Sequence, residues 1–203
     1  MLEQSVRKPY QKLFVDWVAY QLSGKVHPIT ITFLSLLTGF ISAISIFLNL
    51  PFVAIIFLLI SGYLDTLDGT LARVSKTQSD LGCILDIMTD RMVEIMIILS
   101  LCFYHVETRA LPGLLMLASI ILCISAFLVI GIFTTNRANQ GKSFFYSQGL
   151  MERAETFIFF IIMISIPSLF IPLAYLFSLL VIITAFLHIF RFFLWSKSHQ
   201  TKA

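Results

Sequence analysis

"DTLDGTLARVSKTQSDLGCILDIMTD" occupies residues 65–90 and interrupts a chain that otherwise reads as membrane. Asp65 and Asp68 are three residues apart and Ala72 follows four later, so on a helix they share a face. Gly82, Asp86 and Asp90 are each four apart and share a face of a second helix. The polar stretch 74–81 between them is short. Two helices joined by so brief a turn run antiparallel, and their acidic faces can meet at one end of the pair.

Outward from this stretch the chain is apolar. Of 203 residues, 58% are hydrophobic, 12% are charged and 20 are Phe. A water-soluble fold of this size cannot hide that much apolar surface, which predicts an all-α integral membrane protein. Spanning needs roughly 20 mostly apolar residues. Six such runs are expected, at about 30–50, 52–73, 82–105, 111–135, 152–167 and 170–195. Pro167 and Pro172 split the last two into a hairpin, since together they are too long for one crossing. Ahead of them, Leu13, Phe14, Trp17, Val18 and Tyr20 are spaced among polar residues as in an amphipathic helix lying in the membrane interface. The expectation is one domain over 1–203, with the interfacial helix in 1–28 and a six-helix bundle in 30–195. Residues 1–28 lack the apolar central run of a signal peptide.

Six spans put both termini on one side, and the basic residues choose it. Arg7, Lys8, Lys12 and Lys25 precede the first run. Arg73 and Lys76, then Arg137, Lys142 and Arg153, fall in loops on that same side, and Arg191, Lys197 and Lys202 close the chain. The opposite loops offer Arg109. This asymmetry places both termini and the Asp-rich stretch in the cytoplasm. The net charge of +3 is too mild for a nucleic-acid partner. Cys83, Cys102 and Cys123 sit in apolar runs without metal-ligand spacing and read as packing residues.

Four carboxylates at close quarters repel one another, and one arginine does not compensate them. Divalent cations do, and hard oxygen ligands favour Mg²⁺, Mn²⁺ or Ca²⁺ over zinc. Gly69 and Gly82 leave backbone open beside the carboxylates. Arg73 brings a planar fork suited to phosphate. Together these point to a pyrophosphate substrate.

The string Asp65-x₂-Asp68-Gly69-x₂-Ala72-Arg73-x₈-Gly82-x₃-Asp86-x₃-Asp90 resembles the full signature of the CDP-alcohol phosphatidyltransferases, and the six-span layout resembles theirs too. The resemblance implies transfer of a phosphatidyl group from CDP-diacylglycerol to a soluble alcohol, with release of CMP, by a homodimer in the membrane lipid. It implies two divalent cations, Mg²⁺ or Mn²⁺, on Asp65, Asp68 and Asp86, with Asp90 bordering the metals and taking the acceptor's proton. It assigns Thr32, Gly69, Ala72, Arg73, Ser79 and Gly82 to the CDP-lipid. Pro28 and Thr32 fit the family's first span, whereas Ile29 stands where Asn is common. The stretch "SQGLMERAETF", 147–157, is similar to the fifth span of the branches that use inositol phosphate. That similarity places Arg153, with Arg137, Lys142 and Arg191, around a phosphorylated acceptor. Glycerol phosphate, serine and amino alcohols are the other acceptors the family implies.

Other residues have quieter readings. His188 reads as a packing residue, and Arg91 and Glu94 as supports of the metal surround or a pair across helices. Two rival functions predict different patterns. A membrane prenyl-pyrophosphate transferase favours Asp motifs on two separate hairpins. A cation transporter puts acids near mid-span, with an inverted repeat. The single cluster at a span boundary matches neither.

Overall fold

The computed structural model describes residues 11–138 and 149–200, except the side chains of 12, 13, 135–138 and 198–200. A π-helical turn, Gln11–Val15, leads into α1 (Asp16–Leu22). Six longer helices follow: α2 (Pro28–Phe47), α3 (Pro51–Val74), α4 (Asp80–Phe103), α5 (Val106–Ala138), α6 (Arg153–Ser165) and α7 (Phe170–Gln200). Each of the six apolar runs thus holds one helix, and the described residues contain no strand. Lys142 lies outside the described residues, as does the side chain of Arg137.

Among the described residues, four segments are long and apolar enough to cross a membrane: α2, α3, Val106–Thr134 of α5, and Pro167–Lys197, which holds most of α7. The protein is therefore an integral membrane protein. The other two helices fall short for separate reasons. α4 has 24 residues but carries Asp80, Asp86, Asp90, Arg91 and Glu94. α6 has 13 residues, roughly 20 Å at the helical rise, against a hydrocarbon core of about 30 Å. An outward sheath of Phe33, Leu37, Phe40, Phe52, Leu114, Ile121, Phe186 and Phe193 marks the lipid-facing surface.

Local chemistry sets the helix ends. After α2 and again after α3 the chain turns through a left-handed residue, Asn49 (φ 60°) and Lys76 (φ 55°). In both turns the next amide bonds back to a carbonyl of the last helical turn: Leu50 N to Ser45 O at 2.9 Å and Thr77 N to Ala72 O at 3.1 Å. That pattern satisfies carbonyls the helix leaves open and reverses the chain within a few residues. Ser79 caps α4 by accepting from Gly82 N at 3.1 Å. Pro167 ends α6, and its short 3₁₀ turn, Pro167–Leu169, forms the hairpin before α7. Pro172 falls in the first turn of α7, where a missing N–H costs nothing.

Small residues hold α2 against α3. Ser35 Oγ donates to Ser61 O and Ser61 Oγ to Ser35 O, both at 2.9 Å, and Ser42 Oγ donates to Ala54 O at 2.7 Å. A Cβ on Gly39 would sit 2.5 Å from Val93 Cγ2 of α4, so the bare backbone there lets α2 touch both neighbours. α2, rather than α4, is the close neighbour of α3. The acidic helices therefore splay apart around α2 instead of packing along their length. On the far side α5 pairs with α7, and α6 wedges in among α3, α4 and α7. The core between the halves is filled by Leu58, Ile97, Met116, Phe160, Met163 and Phe177.

The face of α1 differs from the expected one. Val15 and Ala19 are buried against Leu67 and Leu71 of α3, with Val18 packed beside them. Phe14, Trp17 and Tyr20 point outward. Val18 thus belongs with the protein-facing side, because α3 offers an apolar groove there.

Arg109, the basic residue of the opposite loops, is buried. Its Nη1 donates to Leu101 O at 2.9 Å and its Nη2 to Pro167 O at 2.6 Å, with the guanidinium over the Phe170 ring. It ties the end of α4 to the α6–α7 hairpin through carbonyls those helix ends leave open.

Candidate active site

Asp65 and Asp68 come from the C-terminal half of α3, and Asp86 and Asp90 from the first half of α4. Oxygens of Asp65, Asp68 and Asp86 all lie within 4.8 Å of one another. Asp68 is 4% exposed, and its buried Oδ2 takes no hydrogen bond among the described residues. An orphaned buried carboxylate oxygen beside two more carboxylates is a poor arrangement for the protein alone. It suits a hard divalent cation, which needs several oxygen ligands at close range.

Asp90 takes a different partner. Arg153 Nη1 forms ion pairs with Asp90 and with Asp65 Oδ1, the latter at 2.8 Å. A capping box sets this placement. The Glu152 side chain accepts from the amide of Glu155, and Glu155 Oε2 accepts from Glu152 N at 3.3 Å. That box begins α6 at Arg153 and directs the guanidinium, backed by the Phe157 ring, toward α3 and α4. Asp65 consequently belongs to both the three-carboxylate cluster and the Arg153 bridge.

A cleft of about 290 Å³ opens beside Asp68 and Asp86. Thr32, Gly69, Ala72, Arg73, Ser79 and Gly82 all line it, so three helices bring together every residue expected at the nucleotide-lipid. Arg73 Nη2 donates to Thr70 Oγ1 at 3.0 Å, which steadies the guanidinium on the cleft wall. A Cβ on Gly69 would meet only Arg73 Nη1, at 3.8 Å, so the backbone there faces open space. Thr32 Oγ1 donates to Pro28 O at 3.3 Å and lies on the cleft wall at the same time.

Sequence reasoning missed His27, Thr77, Gln78 and Cys83, which line the same cleft. His27 caps α2, accepting from Ile29 N at 3.3 Å, and its position before Pro28 at a helix start was the available signal. Cys83 is exposed, which corrects its reading as a packing residue: it sits in the first turn of α4, where the cleft opens. Cys102 and Cys123 are partly buried against the core, as expected. His188 is buried, with its ring edge-on to Phe127, as a packing residue would be. Arg191 lies half-buried near the end of α7 and lines neither this cleft nor the cavity beside Arg153.

Fold and site together define a helical membrane protein with an acidic centre at the mouth of a phosphate-suited cleft. A family model of the CDP-alcohol phosphatidyltransferases matches residues 25–190. The chain belongs to that family. It is 31% identical over 165 residues to the inner membrane protein YnjF of Escherichia coli (strain K12), covering 75% of this chain and 80% of that protein. Its fold is similar to that of Mycobacterium tuberculosis phosphatidylinositol phosphate synthase (PgsA1). Against the structure with CDP-DAG bound, the TM-score is 0.64 at 18% identity, over 88% of this chain and 93% of the other. Against the complex with manganese and citrate, the TM-score is again 0.64 at 18% identity, over 89% of each.

Proposed function

We propose that this protein makes phospholipid by transferring a phosphatidyl group from CDP-diacylglycerol to a phosphorylated polyol of the inositol phosphate kind. One observation carries the reading: the Asp65, Asp68 and Asp86 carboxylates converge at the edge of a cleft whose walls are Thr32, Gly69, Ala72, Arg73, Ser79 and Gly82. The mycobacterial synthase of similar fold has been seen with CDP-DAG and with manganese, which supports both the donor and a divalent cation here.

Two divalent cations, Mg²⁺ or Mn²⁺, on these aspartates would neutralise charge on the attacked phosphorus and on departing CMP. The remaining work belongs to the chain. Gly69 and Gly82 let the pyrophosphate approach the backbone, and Arg73 binds it from the cleft wall. Asp90 accepts the proton of the acceptor hydroxyl. The hydroxyl oxygen then bonds to the lipid phosphorus, and the phosphorus–oxygen bond to CMP breaks. Arg153 stands beside Asp90, so a phosphate held there would present the neighbouring hydroxyl to that carboxylate. Arg137 and Lys142 join Arg153 in the anion site in this reading, whereas Arg191, which lines neither the cleft nor the cavity beside Arg153, is left out of it.

The same proposal includes six spans in one domain, counting the charged α4 and the short α6 because neighbouring helices pack against them, with both termini and the site on the cytoplasmic face, α1 in the interface, and a homodimer. The test supplies purified protein, Mn²⁺ or Mg²⁺ and CDP-diacylglycerol with inositol 1-phosphate, glycerol 3-phosphate, serine or choline. The expected result is metal-dependent CMP release with one phosphorylated polyol and a matching new lipid. CMP release with none of these acceptors would overturn the assignment.

A further inference from the structure

The acidic stripe of α4 does not stop where the signature stops. Gly82, Asp86 and Asp90 recur every four residues, and the next position in that register is Glu94. Glu94 is 3% exposed, one turn deeper into the bundle than Asp90. Its Oε2 pairs with Arg91 Nη1 at 2.7 Å. Arg91 is half-buried, but the Glu94 carboxylate is out of water, which costs desolvation energy that ordinary packing would avoid; an ionisable group in that setting marks a functional site by default.

The pair faces a second, partly open cavity of about 130 Å³, lined by residues of α4, α5, α6 and α7. Arg153 lines it too, and so joins this cavity to the Asp65–Asp90 side of the metal centre. The CDP-lipid cleft lies against Asp68 and Asp86 and shares none of these residues. Arg91 and Arg153 each keep a buried Nε–H with no hydrogen-bond partner among the described residues.

The chemistry of the wall narrows the occupant. Arg91 and Glu94 cancel each other's charge, and Arg153 is already matched by two aspartates. Glu152, which also lines the cavity, is held in the capping box of α6, so the wall offers no unmatched charge of either sign to a charged acceptor group. Vacant N–H donors beside a carboxylate acceptor instead match hydroxyl groups, which donate and accept at once. We infer that Glu94, with Arg91, is a specificity-determining residue that reads the non-reacting hydroxyls of a polyol acceptor in this cavity. The inference rests on the transferase reading above and adds to it a residue outside the signature.

The test uses the full-length protein in detergent with Mn²⁺ and CDP-diacylglycerol, offering inositol 1-phosphate, glycerol 3-phosphate or ethanolamine. Glu94→Gln keeps the shape and removes the charge. It should raise KM for the polyol phosphate about 10- to 100-fold, the worth of a charge-assisted hydrogen bond, and leave KM for CDP-diacylglycerol within about two-fold. Cys123→Leu, which narrows the same cavity from α5 beside the ion pair, should raise the acceptor KM alone and so keeps the inference testable if Glu94→Gln misfolds. Unchanged acceptor KM in folded Glu94→Gln or in Cys123→Leu, or an equal rise for both substrates, overturns the role of Glu94 while wild-type turnover leaves the transferase reading standing. Wild-type turnover with ethanolamine alone overturns the polyol pocket. Wild-type failure with every acceptor sinks the transferase reading itself.

Discussion

Arg153→Ala should make the protein bind Mn²⁺ more tightly while slowing transfer. Arg153 Nη1 lies 2.8 Å from Asp65 Oδ1 and also pairs with Asp90, with side-chain exposures of 19% for Arg153, 12% for Asp65 and 20% for Asp90. Two unit charges 4 Å apart interact by about 4 kcal/mol at an effective dielectric of 20. Partial exposure and the flexibility of the arginine reduce that, leaving roughly 1.5–3 kcal/mol that a cation must overcome to claim Asp65 from the guanidinium. Removing Arg153 should therefore raise Mn²⁺ affinity about 10- to 100-fold. The assay is a Mn²⁺ titration of purified protein without lipid substrate, with free ion followed by electron paramagnetic resonance. Asp68→Asn supplies the opposite control, since it removes a ligand oxygen and should weaken binding. Turnover of Arg153→Ala should fall even at saturating Mn²⁺, because the same guanidinium is the proposed phosphate anchor of the acceptor. Unchanged or weaker Mn²⁺ binding in folded Arg153→Ala would refute the idea that arginine and metal compete for Asp65.

Asp65→Ala, Asp68→Ala and Asp86→Ala should each abolish CMP release, as should a chelator, reversibly; full activity in excess EDTA would remove the metals from the chemistry. Gly39→Ala should destabilise the bundle by about 1–3 kcal/mol, because its Cβ would stand 2.5 Å from Val93 Cγ2; an unchanged melting temperature in detergent would mean α2 and α4 have slack at that contact. Arg109→Ala should cost roughly 1.5–3 kcal/mol by freeing the Leu101 and Pro167 carbonyls, with both substrate KM values unaltered below the melting transition; a selective KM change would place Arg109 in the site instead. In a protein lacking its three cysteines, Lys76→Cys should react with an impermeant thiol reagent from the cytoplasmic face and Thr108→Cys from the other; the reverse pattern would invert the orientation drawn from the basic residues.

Much was readable without a structure because it depends on near neighbours in the chain. Apolar runs of spanning length, prolines that break them and basic loops are local properties, and each run holds a helix close to its expected bounds. The register of Asp65 with Asp68, and of Gly82 with Asp86 and Asp90, follows from helix geometry alone. The bounds of α6 are local as well: the capping box at Glu152 and the break at Pro167 hold it to 13 residues inside the expected run 152–167.

The sequence alone supplied the parts of the acidic centre: four aspartates, two glycines and an arginine at helical spacings, of which Asp65, Asp68 and Asp86 come together in one cluster. Only the tertiary structure decided what surrounds it. Arg153, 63 residues beyond Asp90 in the numbering, reaches Asp65 and Asp90 because α6 wedges between α3, α4 and α7. Thr32 reaches the cleft because small residues on α2 let that helix press between the two acidic helices. Glu94 faces a cavity because four helices, drawn from distant parts of the chain, leave a gap beside Arg153. Helical periodicity says which side chains share a face. Which other helix that face meets depends on packing summed over the whole bundle, and no single stretch of sequence carries that sum.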